Sequence, residues 1–105
     1  ARKRYLLAAE AGNIDALNNL GVLSRKEGDL EQAREWIMKA LEREERDYFQ
    51  YNMGWVAYDQ ELFEETKEWW SRAANSGHKE AIYNLGVLYK EVGVYCISIT
   101  THSVV

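Results

Sequence analysis

The 105-residue chain has one cysteine, two histidines and no long apolar run. The lone Cys96 excludes an internal disulfide and leaves a reducing compartment, the cytoplasm, as the expected location. No stretch of eighteen apolar residues exists, so nothing is expected to span a membrane. Cations are the minority: 13 Lys and Arg against 17 Asp and Glu give a net charge of -4, which repels a phosphate backbone over most of the surface. Nucleic acid is therefore not an expected partner. Neither His78 nor His102 has Cys, Asp or Glu at a metal-ligand spacing, so no zinc site is expected. Glycine-rich phosphate loops are missing as well. Cys96 and His102 have no nucleophile motif around them and no evident oxyanion donors. The adjacent acids Glu44-Glu45 and Glu64-Glu65 point apart on a helix and read as solvated faces. The sequence offers no catalytic residue, no metal site and no cofactor site, and an enzyme is not expected.

What is present is enough for a fold. The chain has the length of one domain, is 47% hydrophobic, and can bury about two-thirds of its unfolded surface. Its organisation is a repeat. NLGVL stands at 19–23 and again at 84–88, with YNMGW at 51–55 between them. The pattern aligns Asn19-Leu20-Gly21, Asn52-Met53-Gly54 and Asn84-Leu85-Gly86. AREWIMKAL (33–41) aligns with TKEWWSRAA (66–74), so that Trp36 matches Trp69 and Ala40 matches Ala73. RYLLAAEAG (4–12) superimposes on WWSRAANSG (69–77), so the chain opens inside a unit. A signal peptide would lie upstream of Ala1, and its absence excludes nothing.

Each unit reads as two helices. Leu17, Leu20, Gly21 and Ser24, like Ile82, Leu85, Gly86 and Tyr89, recur at helical spacing as one stripe for a partner helix. A mid-helix glycine costs about 1 kcal/mol relative to alanine, so Gly21, Gly54 and Gly86 are expected where a second helix approaches the backbone. Gly28 ends one helix and Asp29 caps the next. The small Ala33 and Ala40 leave room on the second helix for bulky neighbours. The spacing predicts helices over 1–11, 14–27, 30–45, 47–60, 63–76 and 79–92.

With those residues the chain resembles the tetratricopeptide repeat and its relative the Sel-one-like repeat. The first complete unit carries the shared pattern in Leu20, Gly21, Gly28, Ala33, Trp36, Lys39 and Ala40. Met53, Gly54, Phe63, Thr66, Trp69, Trp70, Arg72 and Ala73 carry it in the second. AAEAGNIDALNNLG and ANSGHKEAIYNLG have the Sel-one-like flavour. Departures are units of 32 to 33 residues, Glu61 at the turn glycine, Glu44-Glu45-Arg46-Asp47 where other units have small residues, and no proline. The resemblance implies an all-α fold, an α-solenoid of antiparallel helix pairs with about two and a half repeats over 1–93. Residues 94–105 form an anomalous tail: VYCISITTHSVV places Ser98 where Ala33 sits and Thr101 where Trp36 sits, and its β-branched residues suit an extended strand, with a helix imposed by packing as the alternative.

The implied function is protein–protein interaction, with a peptide or protein segment bound on the concave face that the first helices line. Residues one step off the core stripe face it: Asn18 and Arg25 in the first unit, Tyr83 and Lys90 in the third. The middle unit contributes Tyr48, Tyr51, Trp55 and Tyr58, an aromatic strip suited to a peptide. Packing between neighbouring first helices is the alternative role of these rings, while Trp36, Trp69 and Trp70 read as core. Asn52 matches one position of the carboxylate clamp found in some tetratricopeptide domains. Val22, Glu80 and Asn84 break that clamp elsewhere. Two rival readings are a structural spacer or self-assembly segment with an empty groove, and an RNA-binding pentatricopeptide-like array, which the net acidity disfavours. The stripe at Ile82, Leu85 and Tyr89 needs a cover, so residues 94–105 are expected either to fold back on that face or to pack against another chain, giving a homodimer through the tail or the open end of the solenoid.

Overall fold

A computed structural model describes residues 2–90. The expectations for the tail, the boundary at 93 and the last two residues of the sixth helix lie outside the described residues. Within them are six helices and no strand: α1 (Arg2–Glu10), α2 (Ile14–Lys26), α3 (Leu30–Arg43), α4 (Asp47–Asp59), α5 (Phe63–Asn75) and α6 (79–90). Each described boundary falls within two residues of its sequence-based expectation. Helices α2 and α3 form one hairpin and α4 and α5 the next, while α1 packs on α2 and α3 on α4. The fold is the all-α solenoid of helix pairs that the repeat implies.

The turns follow from the punctuation. Gly12, Gly28 and Gly77 have φ of 94°, 85° and 88°, and each is followed by a residue whose N–H reaches back to close the helix end: Asn13 to Ala8 O, Asp29 to Ser24 O, His78 to Ala73 O. This is the left-handed cap for which glycine has no steric penalty. Glu61, where the second unit has no glycine, adopts the same turn at φ 63°, with Leu62 N–H bonded to Ala57 O. The register of the repeat thus imposes a left-handed conformation on a residue with a Cβ. Entry to the next helix is capped by Asn13 Oδ1 accepting from Ala16 N–H and by Asp29 Oδ1 accepting from Gln32 N–H, both at 3.1 Å. His78 Nδ1 does the same for Ala81 N–H at 3.1 Å. The α3–α4 turn differs, because Glu44 and Arg46 are extended and no glycine is needed.

Close helix approach occurs where two of the three stripe glycines lie. A methyl group at Gly21 would overlap Ile37 and stand 3.1 Å from Ala33 O; at Gly54 it would overlap the Trp70 indole. Ile37 and Trp70 are register equivalents, so one glycine position accepts an aliphatic side chain in one unit and an indole in the next. Burying either contributes about 1.5–3 kcal/mol. At Gly86 no described atom lies within 4 Å of the place its Cβ would take, and the expectation there lies outside the described residues. The helix that register would set over it falls beyond residue 93. Consistently, Ile82 and Tyr89 are 51% and 49% exposed, whereas Leu17, Gln50, Ser24 and Ala57 at the equivalent positions are buried.

Candidate functional site

The first helices α2, α4 and α6 are laced side by side by amides. Asn52 Nδ2 donates to Asn18 Oδ1 at 3.1 Å, and one unit later Asn84 Nδ2 donates to the Tyr51 hydroxyl at 2.9 Å. This supplies a physical use for the recurring Asn before the stripe Leu-Gly, which the sequence pattern showed without explaining. It also defines Asn18: expected on the recognition face, it is only 3% exposed, its oxygen spent on the lateral bond.

The aromatic row of α4 is a cluster rather than an open strip. Trp55 meets Trp70 edge-on at 5.1 Å, Tyr51 and Tyr58 each stack on Trp70 at 6.2 and 6.0 Å, and Trp55 and Tyr58 are 5.4 Å apart. Trp70 Nε1 donates to Tyr51 O at 3.1 Å, which fixes the indole over Gly54. The Tyr51 ring also lies 4.5 Å from the His78 ring. Such pairs add about 0.5–1.5 kcal/mol beyond their buried area. Tyr51, Trp55 and Tyr58 remain half-buried.

Tyr48 leaves the row. Its hydroxyl donates to the Asp15 carboxylate, and Arg46 Nη1 lies 2.8 Å from the same Asp15 oxygen. The Tyr48 hydroxyl, followed by Arg46, holds the Asp15 carboxyl below the usual carboxylate range. Partial burial and the bond to Asp15 push the Tyr48 phenol up.

At the other end, the Arg25 guanidinium sits 4.9 Å from the Trp55 ring centroid, and its Nε is 2.5 Å from Asp59 Oδ2. The cation is therefore both stacked and neutralised. On α6, Tyr83 is 72% exposed and Val87 and Lys90 are exposed along the same line. Val87 joins Trp55, Tyr58, Trp70, Asn84 and Leu88 around a cleft of about 50 Å³. That space takes the tip of one side chain, far below the ~300 Å³ of a small-molecule pocket.

A larger groove, about 370 Å³, lies between α1 and α3 on the second-helix side, lined by Leu6, Ala9, Leu17, Trp36, Lys39 and Arg43 with Glu10 and Glu42. Sequence reasoning placed Trp36 in the core. It is half-buried, with Nε1 donating to Gln32 Oε1 at 3.1 Å and the Lys39 ammonium 4.9 Å over its ring. Trp69, Glu65 and Arg72 reproduce that arrangement one unit on. A tryptophan followed three residues later by a cation was the sequence signal for these semi-exposed indoles, and it was legible in both units. Only Trp70 is a fully buried core indole, 2% exposed.

Residues 14–47, which form α2, the α3 hairpin arm and the turn into α4, match the family model described as tetratricopeptide repeat. One unit of the chain is thus similar to a tetratricopeptide repeat. The same register carries the repeat through α4 and α5 and into α6. A comparison with curated proteins finds no match. Tetratricopeptide repeats generally mediate protein–protein interactions, and their all-helical fold is typically non-enzymatic. No helix among the described residues is long and apolar enough to cross a membrane, and among them no three His, Cys, Asp or Glu gather as metal ligands.

Proposed function

We propose that the chain is an interaction module that binds a peptide or protein segment along the first-helix face, across Trp55, Tyr58, Tyr83 and Val87, with Arg25 and Lys90 at its two sides. The observation that carries this reading is the continuity of half-exposed rings on α4 with the exposed Tyr83 and Val87 on α6. Rings already clamped by Trp70 lose little freedom when a ligand arrives. Asn18 and Tyr51 support the face from within rather than touching the ligand, and Tyr48 with Asp15 closes its far edge. A suitable segment has apolar side chains and at least one carboxylate, which competes with Asp59 for Arg25 or meets Lys90.

The mutual packing of Tyr51, Trp55, Tyr58 and Trp70 favours a second reading, a structural spacer whose face stays empty. Selection from a library of short random peptides, followed by titration of the selected peptide into isotope-labelled protein, separates the two. Amide shifts are expected around Trp55, Tyr83 and Val87. Tyr83→Ala, Val87→Ala removes exposed groups only, and is expected to weaken binding by more than about 1 kcal/mol. Full affinity in that variant, or shifts confined to Leu6, Trp36 and Arg43, would overturn the reading.

A further inference from the structure

Asn13, Asp29 and His78 each follow a left-handed glycine, and each caps the helix it opens. At the equivalent places Arg46 and Leu62 make no side-chain cap. The three caps differ in chemistry. An amide oxygen and a carboxyl oxygen accept an N–H at any pH, because a carboxyl group keeps an acceptor oxygen even when protonated. The imidazole of His78 accepts from Ala81 N–H through Nδ1 at 3.1 Å, so its one proton sits on Nε2 and the ring is neutral. A second proton would go to Nδ1 and set a donor against a donor. It would also place a positive charge on the first turn of a helix, the end where the aligned peptide dipoles favour a negative one. The cap and the imidazolium exclude one another.

The cap holds part of the α4–α6 face. The Tyr51 ring lies 4.5 Å from the His78 ring, and the Tyr51 hydroxyl accepts from Asn84 Nδ2 on the second turn of α6 at 2.9 Å. Tyr51 therefore meets α6 at its start and again one turn on, while its own neighbours in the aromatic row are Trp55 and Trp70. Ala81, whose N–H the cap engages, is 0% exposed and packs in the cluster of Trp70 and Ala73. A buried N–H that loses its acceptor is costly, so loss of the cap has to move the turn and not only the ring.

We propose that His78 makes the seating of α6 depend on pH: uptake of a proton opens the cap, frees the first turn of the helix and loosens the edge where α6 meets Tyr51. The weaker ligand binding that follows rests on the peptide face proposed above, whereas the opening of the cap does not. The capped form holds one proton fewer than the opened form, so falling pH favours opening. The surrounding groups leave the imidazolium without a counter-ion. From α4 the Tyr51 phenol faces the ring and Asp47 opens the helix, α5 carries Arg72 in its last turn, and Lys79 and Glu80 follow His78 on α6. Among the described residues no acid forms an ion pair with His78.

Amide hydrogen exchange on the full chain tests this between roughly pH 8 and pH 5, where imidazoles gain a proton. Protection is corrected for the intrinsic rate and compared with that of α2, whose cap is Asn13. Towards acid pH, the amides of Ala81 to Leu85 should lose about tenfold in protection relative to α2, the size of a lost N-cap. His78→Asn, which gives α6 the cap of α2, should hold protection constant, and His78→Ala should show the lowered protection at both ends of the range. His102→Asn, at the other histidine, should respond as the wild type does. A selected peptide that lacks histidine should bind several-fold more weakly at the acid end, and His78→Asn should abolish that loss. Constant protection in the wild type, an equal loss in α2, or the same loss in His78→Asn would each overturn the proposal. If no peptide binds at either pH, the face proposed above fails while the exchange result still decides the cap. If the cap opens and a bound peptide keeps its affinity, control of the face by His78 is overturned.

Discussion

Gly54 and Gly86 stand in the same sequence pattern, Asn, apolar residue, glycine, on helices α4 and α6, and their surroundings are opposite. Gly54 lies beneath the Trp70 indole with no room for a methyl group, while no described residue comes within 4 Å of a Cβ at Gly86. The contrast separates two roles that a repeat motif merges. A glycine is kept in register by the unit as a whole, but it is required only where a neighbour sits on it. At Gly54 the absent side chain permits burial of a whole indole, and at Gly86 the same absence, among the described residues, brings only the backbone entropy loss of glycine in a helix.

The largest expected effect comes from removing the neighbour. Trp70→Ala should destabilise the fold by about 3–5 kcal/mol, read from urea denaturation, since it empties the contact with Gly54 and unclamps Tyr51, Trp55 and Tyr58. Gly54→Leu should destabilise by about 3 kcal/mol through overpacking against the indole. Combined, the two changes should cost about 1–3 kcal/mol less than their sum, because the leucine then occupies part of the vacated space. Additive losses would show that Gly54 and Trp70 do not share one packing site. Smaller and opposite in sign, Gly86→Leu should raise monomer stability by about 0.5–1 kcal/mol, as expected for replacing an open helical glycine with a good helix former. A loss there would mean that a side chain does close over Gly86. Smallest is Glu61→Gly, a gain of about 0.5–1 kcal/mol in the same measurement from relieving the left-handed glutamate that Gly28 and Gly77 avoid. An unchanged midpoint would show that the turn carries no strain.

Much of the fold was legible because helix pairing writes itself into the chain locally. The spacing of Leu17, Leu20 and Ser24 marks one stripe, Gly28 and Asp29 mark a stop and a start, and the stripe recurs 33 residues on, where Glu61 and Leu62 replace the stop and start residues. The candidate face was legible only in part. That Tyr48, Tyr51, Trp55 and Tyr58 share a side of α4 follows from helical spacing. That Tyr48 turns to Asp15 while the other three close on Trp70 does not, because it depends on residues 33 and 19 positions away. Asn18 shows the same limit: its place one step off the stripe suggested exposure, and the amide of Asn52 decided burial.

The sequence by itself determined the helices, their order and the register in which they pair, since period, caps and left-handed glycines act within a few residues of chain. Tertiary structure alone decided which members of an equivalent set are used. Trp36 and Trp69 lie half-exposed beside Lys39 and Arg72 while Trp70 is buried, and among the described residues Gly54 is covered while Gly86 is not. The physical reason is that burial belongs to a pair of surfaces. A stripe on one helix states what it could bury, and only the helix lying across it fixes whether it does.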